Sequence, residues 1–289
     1  MVVYVMTSIL KKKYVNLSNL LSSYLKNGLC LALSGGVDSG LLAGVVARII
    51  RDKTCIKNTA ERNRLNNMFY AVTFRMPLYS DDEFFSAENL CKDLKLNSVV
   101  ITIDMNKMPK ALLKNPKNRC YLCKKTMFKN AVKFCKEKKL NTIIDGTNYD
   151  DVFVYRPGKK ALEELNVKSP LAECGFTKAE IRALAKELHL NSIQDKPSLP
   201  CFATRLPYGA VLNIPLLKKI AECENVLHKM GFIECRIRFH NPIVRIEIPK
   251  NDFTAFLNQK EKIVSALKDG EFKYITLDVE GLRSGSMDE

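Results

Sequence analysis

Two sets of side chains in this 289-residue chain could do chemistry together, and the first is Ser34-Gly35-Gly36-Val37-Asp38-Ser39. It follows an apolar run, Leu29-Cys30-Leu31-Ala32-Leu33, that reads as a fully buried strand, and it opens a helix expected over residues 37–50. Two glycines let the backbone turn tightly and come close to a ligand. A helix start offers unpaired N–H groups and the positive end of the dipole, which together bind phosphate. The hydroxyls of Ser34 and Ser39 add donors. A plain strand–helix turn is the alternative, but such a turn needs no Ser-Gly-Gly-x-Asp-Ser string. The sequence lacks the G-x-x-x-x-G-K-[ST] loop that usually serves γ-phosphate transfer.

The second set is made of thiols. The chain has ten cysteines. Seven of them (Cys30, Cys55, Cys91, Cys135, Cys174, Cys223, Cys235) stand alone in apolar or helical patterns and read as small buried hydrophobes. Cys120 and Cys123 form a C-x-x-C, and Cys201 sits in a Pro-Cys-Phe-Ala-Thr-Arg turn. The apolar run at residues 29–33 is too short to cross a bilayer, and the start of the chain has no signal-peptide layout. A cytoplasmic protein without a membrane partner is therefore expected. Disulfides are rare in that compartment, so clustered cysteines there point to metal binding or catalysis. Arg119, Lys124, Lys125 and Arg205 flank the three thiols and would favour thiolates. A zinc site would need a fourth ligand from His189, His228 or His240, none close in sequence. A redox disulfide between Cys120 and Cys123 is a further alternative.

The elements that must position these groups alternate. Strand-like runs at residues 69–74, 98–103 and 142–145 are separated by helical patterns at 81–94, 124–138 and 177–188, the last opened by a Thr177…Glu180 capping box. Such alternation implies a parallel sheet covered on both faces, a doubly wound α/β domain over residues 1–205. Residues 51–67 are polar and lack periodicity, so an inserted loop is expected there. Residues 206–289 read helix (215–230), two strands (232–239, 243–248), helix (253–267) and strand (274–277), a small α+β domain. The formal charge of +15 follows the same boundary. Residues 206–289 hold 12 basic and 12 acidic side chains, whereas residues 107–139 hold 12 Lys/Arg against Glu137 alone. That block is either a face for an anionic partner or a solvated surface.

The Ser34–Ser39 string resembles the pyrophosphate loop of the PP-loop ATP pyrophosphatases. The resemblance implies cleavage between the α- and β-phosphates of ATP and an adenylated intermediate, with Asp38 helping to hold Mg²⁺ on the departing pyrophosphate. Further strings narrow it: Asn118-Arg119-Cys120-Tyr121-Leu122-Cys123-Lys124, Asp145-Gly146-Thr147-Asn148-Tyr149-Asp150-Asp151, Tyr155-Arg156-Pro157-Gly158, Ser169-Pro170-Leu171-Ala172-Glu173, Thr177-Lys178-Ala179-Glu180-Ile181-Arg182, Lys196-Pro197-Ser198-Leu199-Pro200-Cys201-Phe202-Ala203-Thr204-Arg205, Arg236-Ile237-Arg238-Phe239-His240, Val244-Arg245-Ile246-Glu247 and Leu277 through Met287. In that order and spacing, from about residue 29 to 287, they are similar to the LarE family, ATP-dependent sulfur transferases of nickel-pincer nucleotide cofactor synthesis. The Cys201 turn reads Cys-Phe-Ala-Thr-Arg where the family more often has Leu and Ser.

The resemblance implies a small anionic nucleotide substrate, a pyridinium biscarboxylic acid mononucleotide, whose carboxylate is adenylated and becomes a thiocarboxylate. It implies two routes for sulfur. In one, Cys201 gives up its own sulfur and becomes dehydroalanine. In the other, Cys120, Cys123 and Cys201 hold a 4Fe-4S cluster by three irons, and the fourth receives sulfide from a sulfur donor; this chain has all three thiols. Gly146, Thr147, Asn148 and Asp150 would line the adenosine site, or form an ordinary turn. Arg236 and Arg238, two apart on a strand and so on one face, would hold substrate phosphate or carboxylate, as would Arg205 and Arg245; solvated arginines are the alternative. A homo-oligomer is expected. A tRNA-thiolating enzyme with the same cluster, or a non-enzymatic nucleotide or cluster carrier, are the competing functions.

Overall fold

The computed structural model describes residues 7–52, 58–154, 156–194, 200–270, 272–283 and 285–287. Cys55, Tyr155, Lys196 to Leu199 and Ser284, all among the residues and strings named above, lie outside them. The chain forms two compact units. The first comprises residues 1–76, 81–108 and 118–199, and the second residues 77–80, 109–117 and 200–289.

The first unit is built on four parallel strands, β1 (Leu29–Ala32), β2 (Phe69–Arg75), β3 (Ser98–Thr102) and β4 (Thr142–Ile144), in the order β3-β2-β1-β4. Leu29 is in register with Phe69 on one side and Thr142 on the other. Its helices are α1 (Ser8–Lys26), α2 (Val37–Arg51), α3 (Thr59–Asn67) and α4 (Asp81–Asp93); beyond α5 (Lys110–Leu113), which belongs to the second unit, come α6 (Arg119–Lys138), α7 (Gly158–Glu164), α8 (Pro170–Glu173) and α9 (Lys178–Glu187).

The sheet is covered on both faces because β2 alternates. Phe69 and Ala71 enter a core cluster with Leu17, Leu21 and Leu25 of α1, Leu41, Leu42 and Val45 of α2, and Ile181 and Leu184 of α9. Tyr70 and Phe74 instead meet Phe134 and Phe128 of α6, with ring centroids 5.5 and 5.8 Å apart. Period-2 side chains thus divide the helices between two layers. The order of strands reverses at β1 and β4, and ligands of open α/β sheets bind beyond the strand ends at such a switch point.

The expected loop over residues 51–67 is corrected by the structure: α2 runs to Arg51, and α3 occupies 59–67. The Asn58 side chain caps α3 by accepting from Glu61 N at 2.6 Å, and Leu65 is buried. One cap and one buried leucine hold a helix whose remaining residues are too polar to show a period. The second unit contains α10 (Ile214–Lys229), β5 (Arg236–His240), β6 (Ile243–Glu247), α11 (Phe253–Asn258), α12 (Lys260–Asp269) and β7 (Tyr274–Leu277). Strand β6 pairs antiparallel with β5 and parallel with β7. The helix expected over 253–267 is two helices, broken at Gln259. Among the described residues, no helix is long and apolar enough to cross a membrane.

Candidate active site

The loop after β1 has a defined geometry. Gly35 has φ +79°, and a Cβ there would lie 2.2 Å from the carbonyl oxygen of Glu83. Only glycine fits. Gly36 is the N-cap of α2, and no side chain caps that end, which leaves the first-turn amides for a ligand. The hydroxyls of Ser34 and Ser39 lie 3.0 Å apart, and Ser34 N donates to Ser39 Oγ at 3.1 Å. Beyond β4, Gly146 packs so closely on α2 that an added Cβ would sit 2.8 Å from Ser39 N. The loops of the two switch-point strands are therefore in direct contact.

Asp38 points into this region. Its Oδ2 accepts from Lys178 Nζ at 2.6 Å, whereas Oδ1 is buried and has no hydrogen-bond partner among the described residues. Burial pushes its carboxyl pKa up, opposed in part by the Lys178 ammonium. An orphaned buried carboxylate oxygen beside a helix start is a donor that suits a hard cation such as Mg²⁺. Lys178 is tied from both ends, because its backbone N–H donates to Asp150 Oδ2 at 2.7 Å. The capping box of Thr177 and Glu180 forms as expected. In the sequence that string is a helix start and one of the family strings, with no role given to its lysine; the contact with Asp38 is what adds Lys178 to the candidate site.

Residues of the β4 turn also hold the turn itself. Thr147 Oγ1 donates to Asp145 Oδ2 at 2.6 Å, and Ser169 Oγ to Asp145 Oδ1 at 2.7 Å. Asn148 is buried and exchanges hydrogen bonds with Asp151: its N–H donates to Asp151 Oδ2 at 3.2 Å and its Oδ1 accepts from Asp151 N at 3.1 Å. Gly146, Asn148 and Asp150 are thus brought to the Ser34–Ser39 loop, the Asn148 side chain also helping to hold the Asp38 pKa down, while the polar atoms of Thr147 shape the turn.

Cys120, in the first turn of α6, is exposed, and Cys123, in the second, is buried. That helix is joined to the β4 turn through Lys124, whose Nζ lies 3.5 Å from Asp145 Oδ2. Cys201 belongs to the second unit, where it is half-buried ahead of a 3₁₀ turn, Phe202–Arg205. Among the described residues, no group of three or more His, Cys, Asp or Glu side chains is arranged to hold a metal ion. Three thiols with no histidine nearby in sequence are still the soft donor set that iron–sulfur clusters take.

The four arginines named from the sequence all have partners within the second unit. Arg205 forms a two-pronged pair with Glu224 at 2.7 and 2.8 Å, and Arg238 bonds Glu247 at 3.1 and 2.9 Å. Arg245 reaches Asp278 at 2.8 Å and Glu247 at 3.1 Å. Arg236 Nη1 donates to Cys235 O at 2.6 Å. Glu247 and Asp278 stand in the family strings without a role of their own, and Glu224 stands in none; the matching numbers of acidic and basic residues across 206–289 are its one signal.

A parallel α/β sheet with a Ser-Gly-Gly-x-Asp-Ser loop at its switch point places the first unit among α/β proteins of the PP-loop type. No family model matches the chain. It is 31% identical over 260 residues, 90% of this chain and 88% of the relative, to the pyridinium-3,5-bisthiocarboxylic acid mononucleotide synthase of Lactiplantibacillus plantarum. Uncharacterized proteins of Methanocaldococcus jannaschii (34% identical, 94% of this chain and 98% of theirs) and Synechocystis (30%, 89% and 90%) are similar over comparable spans. The chain belongs to the LarE family.

Proposed function

We propose that the protein is an ATP-dependent sulfur transferase acting on pyridinium biscarboxylic acid mononucleotide. The observation that carries this reading is the near full-length similarity to a synthase of the bisthiocarboxylic nucleotide. The Asp38–Lys178 pair and the uncapped start of α2 support it from the side of ATP. A substrate carboxylate oxygen attacks the α-phosphorus of ATP, the bond to the β-phosphate oxygen breaks, and pyrophosphate leaves. Sulfide then attacks the acyl carbon, the bond to AMP breaks, and a thiocarboxylate remains. The amides of the Ser34–Ser39 loop take the charge that develops on the phosphates, and Asp38 Oδ1 would hold Mg²⁺ against the leaving pyrophosphate. Gly146 and Asp150 form the wall facing the nucleotide. The half-exposed Arg236 and Arg245 are the candidates to receive the anionic substrate.

Cys120, Cys123 and Cys201 would hold a 4Fe-4S cluster, which when bound supplies an iron position able to carry sulfide. Without the cluster, Cys201 would lose its sulfur to the acyl adenylate. Lys129, Lys133 and Lys136, four and three apart on α6 and all exposed, form a basic stripe, and so a tRNA acceptor is the reading to test alongside. Exchange of labelled pyrophosphate into ATP tests the adenylation step. Exchange that requires the biscarboxylic nucleotide and is lost in Asp38→Ala supports it; release of ADP and phosphate instead contradicts it.

A further inference from the structure

Cys201 opens a turn whose backbone carbonyls are taken by side chains of its own unit. Pro200 O accepts from Arg205 Nη1 at 3.3 Å, and Cys201 O from the Thr204 hydroxyl at 2.9 Å. Thr204 O accepts from Arg238 Nη1 at 2.8 Å. Ala203 O, Leu206 O and Pro207 O converge on one donor, Asn115 Nδ2, at 3.3, 3.2 and 2.9 Å. The N–H of Phe202 donates to Leu78 O at 2.8 Å. The two excursions of chain that join this unit, 77–80 and 109–117, each supply one of these partners.

The struts are themselves fixed. Arg205 and Arg238 are 2% and 5% exposed. Glu224, which holds Arg205, also accepts from Ile237 N at 2.7 Å. Glu247, which holds Arg238, also accepts from Ser286 Oγ at 2.6 Å. Both guanidiniums reach the Thr204 hydroxyl, at 3.0 and 3.3 Å. A guanidinium has five N–H donors. In Arg238 they are shared among Glu247, Ser286 Oγ and the two oxygens of Thr204, and in Arg205 among Glu224, Pro200 O and Thr204 Oγ1. Such arginines have little left to offer a substrate.

We infer that Arg205, Arg238, Asn115 and Thr204 are positioning residues for Cys201: they lock the backbone of its turn so that the thiol is presented in one place. The purpose rests on the sulfur-transfer reading, but the lock does not. A reactive group held within a fraction of an ångström needs surroundings that fix its own backbone, and here the Thr204 hydroxyl is the hub, because it bonds Cys201 O and accepts from both arginines.

The test is the alkylation rate of Cys201 by iodoacetamide, followed by peptide mass spectrometry across a range of neutral to mildly alkaline pH without ATP or nucleotide. Cys120 serves as reference, and buried Cys91 and Cys235 report unfolding. Thr204→Val keeps the side-chain volume but removes the hub, so the rate at Cys201 should rise about fivefold with Cys120 unchanged. Thr204→Ser, which keeps the hydroxyl, should restore the native rate and its pH profile. Replacing a buried ion pair by apolar residues usually preserves the fold, so Arg205→Met/Glu224→Leu should loosen Cys201 in the same way. If that double variant also exposes Cys235, which lies in the same unit, the Thr204 pair decides. An unchanged or slower rate in Thr204→Val, or equal loosening in Thr204→Ser, overturns the inference. Either result leaves the thiocarboxylate assay free to succeed or fail on its own.

Discussion

Gly35 and Gly36 are neighbours in one motif, yet replacing each by alanine should have very different consequences. At Gly35 the backbone is left-handed, φ +79°, and the new Cβ would meet the Glu83 carbonyl oxygen at 2.2 Å with Glu83 C at 3.1 Å. The conformation alone costs alanine about 1–2 kcal/mol. Ordinary contact distance is roughly 3.5 Å, so the loop or α4 must move by about an ångström, and overpacking of that kind costs a further ~1–3 kcal/mol. The sum is about 2–5 kcal/mol; at roughly 2–4 °C per kcal/mol, the melting temperature of the first unit should fall by about 5–20 °C. At Gly36 the nearest atom to a new Cβ is Ser34 Oγ at 3.5 Å, an ordinary contact. The cost there is the weaker N-cap preference of alanine, about 0.5–1 kcal/mol. Differential scanning calorimetry of the two variants, paired with pyrophosphate exchange, reads the difference. Equal melting temperatures, or a larger fall in Gly36→Ala, would refute the placement of the loop against α4.

Asp38→Asn should abolish exchange yet stabilise the protein at neutral pH. The folded pKa of Asp38 is raised by burial, so its ionisation opposes folding. That cost is absent below the unfolded pKa and complete above the folded one, and the advantage of the Asp38→Asn variant in melting temperature should therefore shrink as pH falls through the acid range. Lys178→Met removes the ammonium that lowers the Asp38 pKa, and the acidic limb of the exchange profile should move to higher pH; an unmoved limb would detach Lys178 from the site. Burial pushes Cys91 up to about 11 and Cys235 up to about 12. At a pH of about 8 their thiolate fractions are about one in a thousand or less, and both should resist alkylation in the native protein for as long as it stays folded; modification as fast as that of Cys120 would contradict their placement.

The site was legible where chemistry and local structure coincide. Leu29 to Ser39 carries a buried strand, a glycine turn and a helix start in one stretch, and the structure reproduces each. The Thr177–Glu180 capping box was legible for the same reason, since its hydrogen bonds span three residues. What the sequence could not show depends on distance along the chain. Lys178 reaches Asp38 across 140 positions, and nothing local to either distinguishes that pair from any Lys and Asp. Arg205 and Arg238 looked like substrate ligands because their partners, Glu224 and Glu247, lie on other elements. Helix α1 escaped notice because its period rests on leucines among lysines and serines, buried only once β1 and α2 are in place. In residues 51–67 a single buried leucine left no pattern to read.

The central claim is the conversion of a carboxylate to a thiocarboxylate, and anaerobic incubation with ATP, Mg²⁺, sulfide and pyridinium biscarboxylic acid mononucleotide, followed by mass spectrometry, tests it most directly. The account predicts the thiocarboxylated nucleotide together with AMP and pyrophosphate. An unchanged nucleotide, with a thiolated nucleoside appearing instead when tRNA is added, would contradict it.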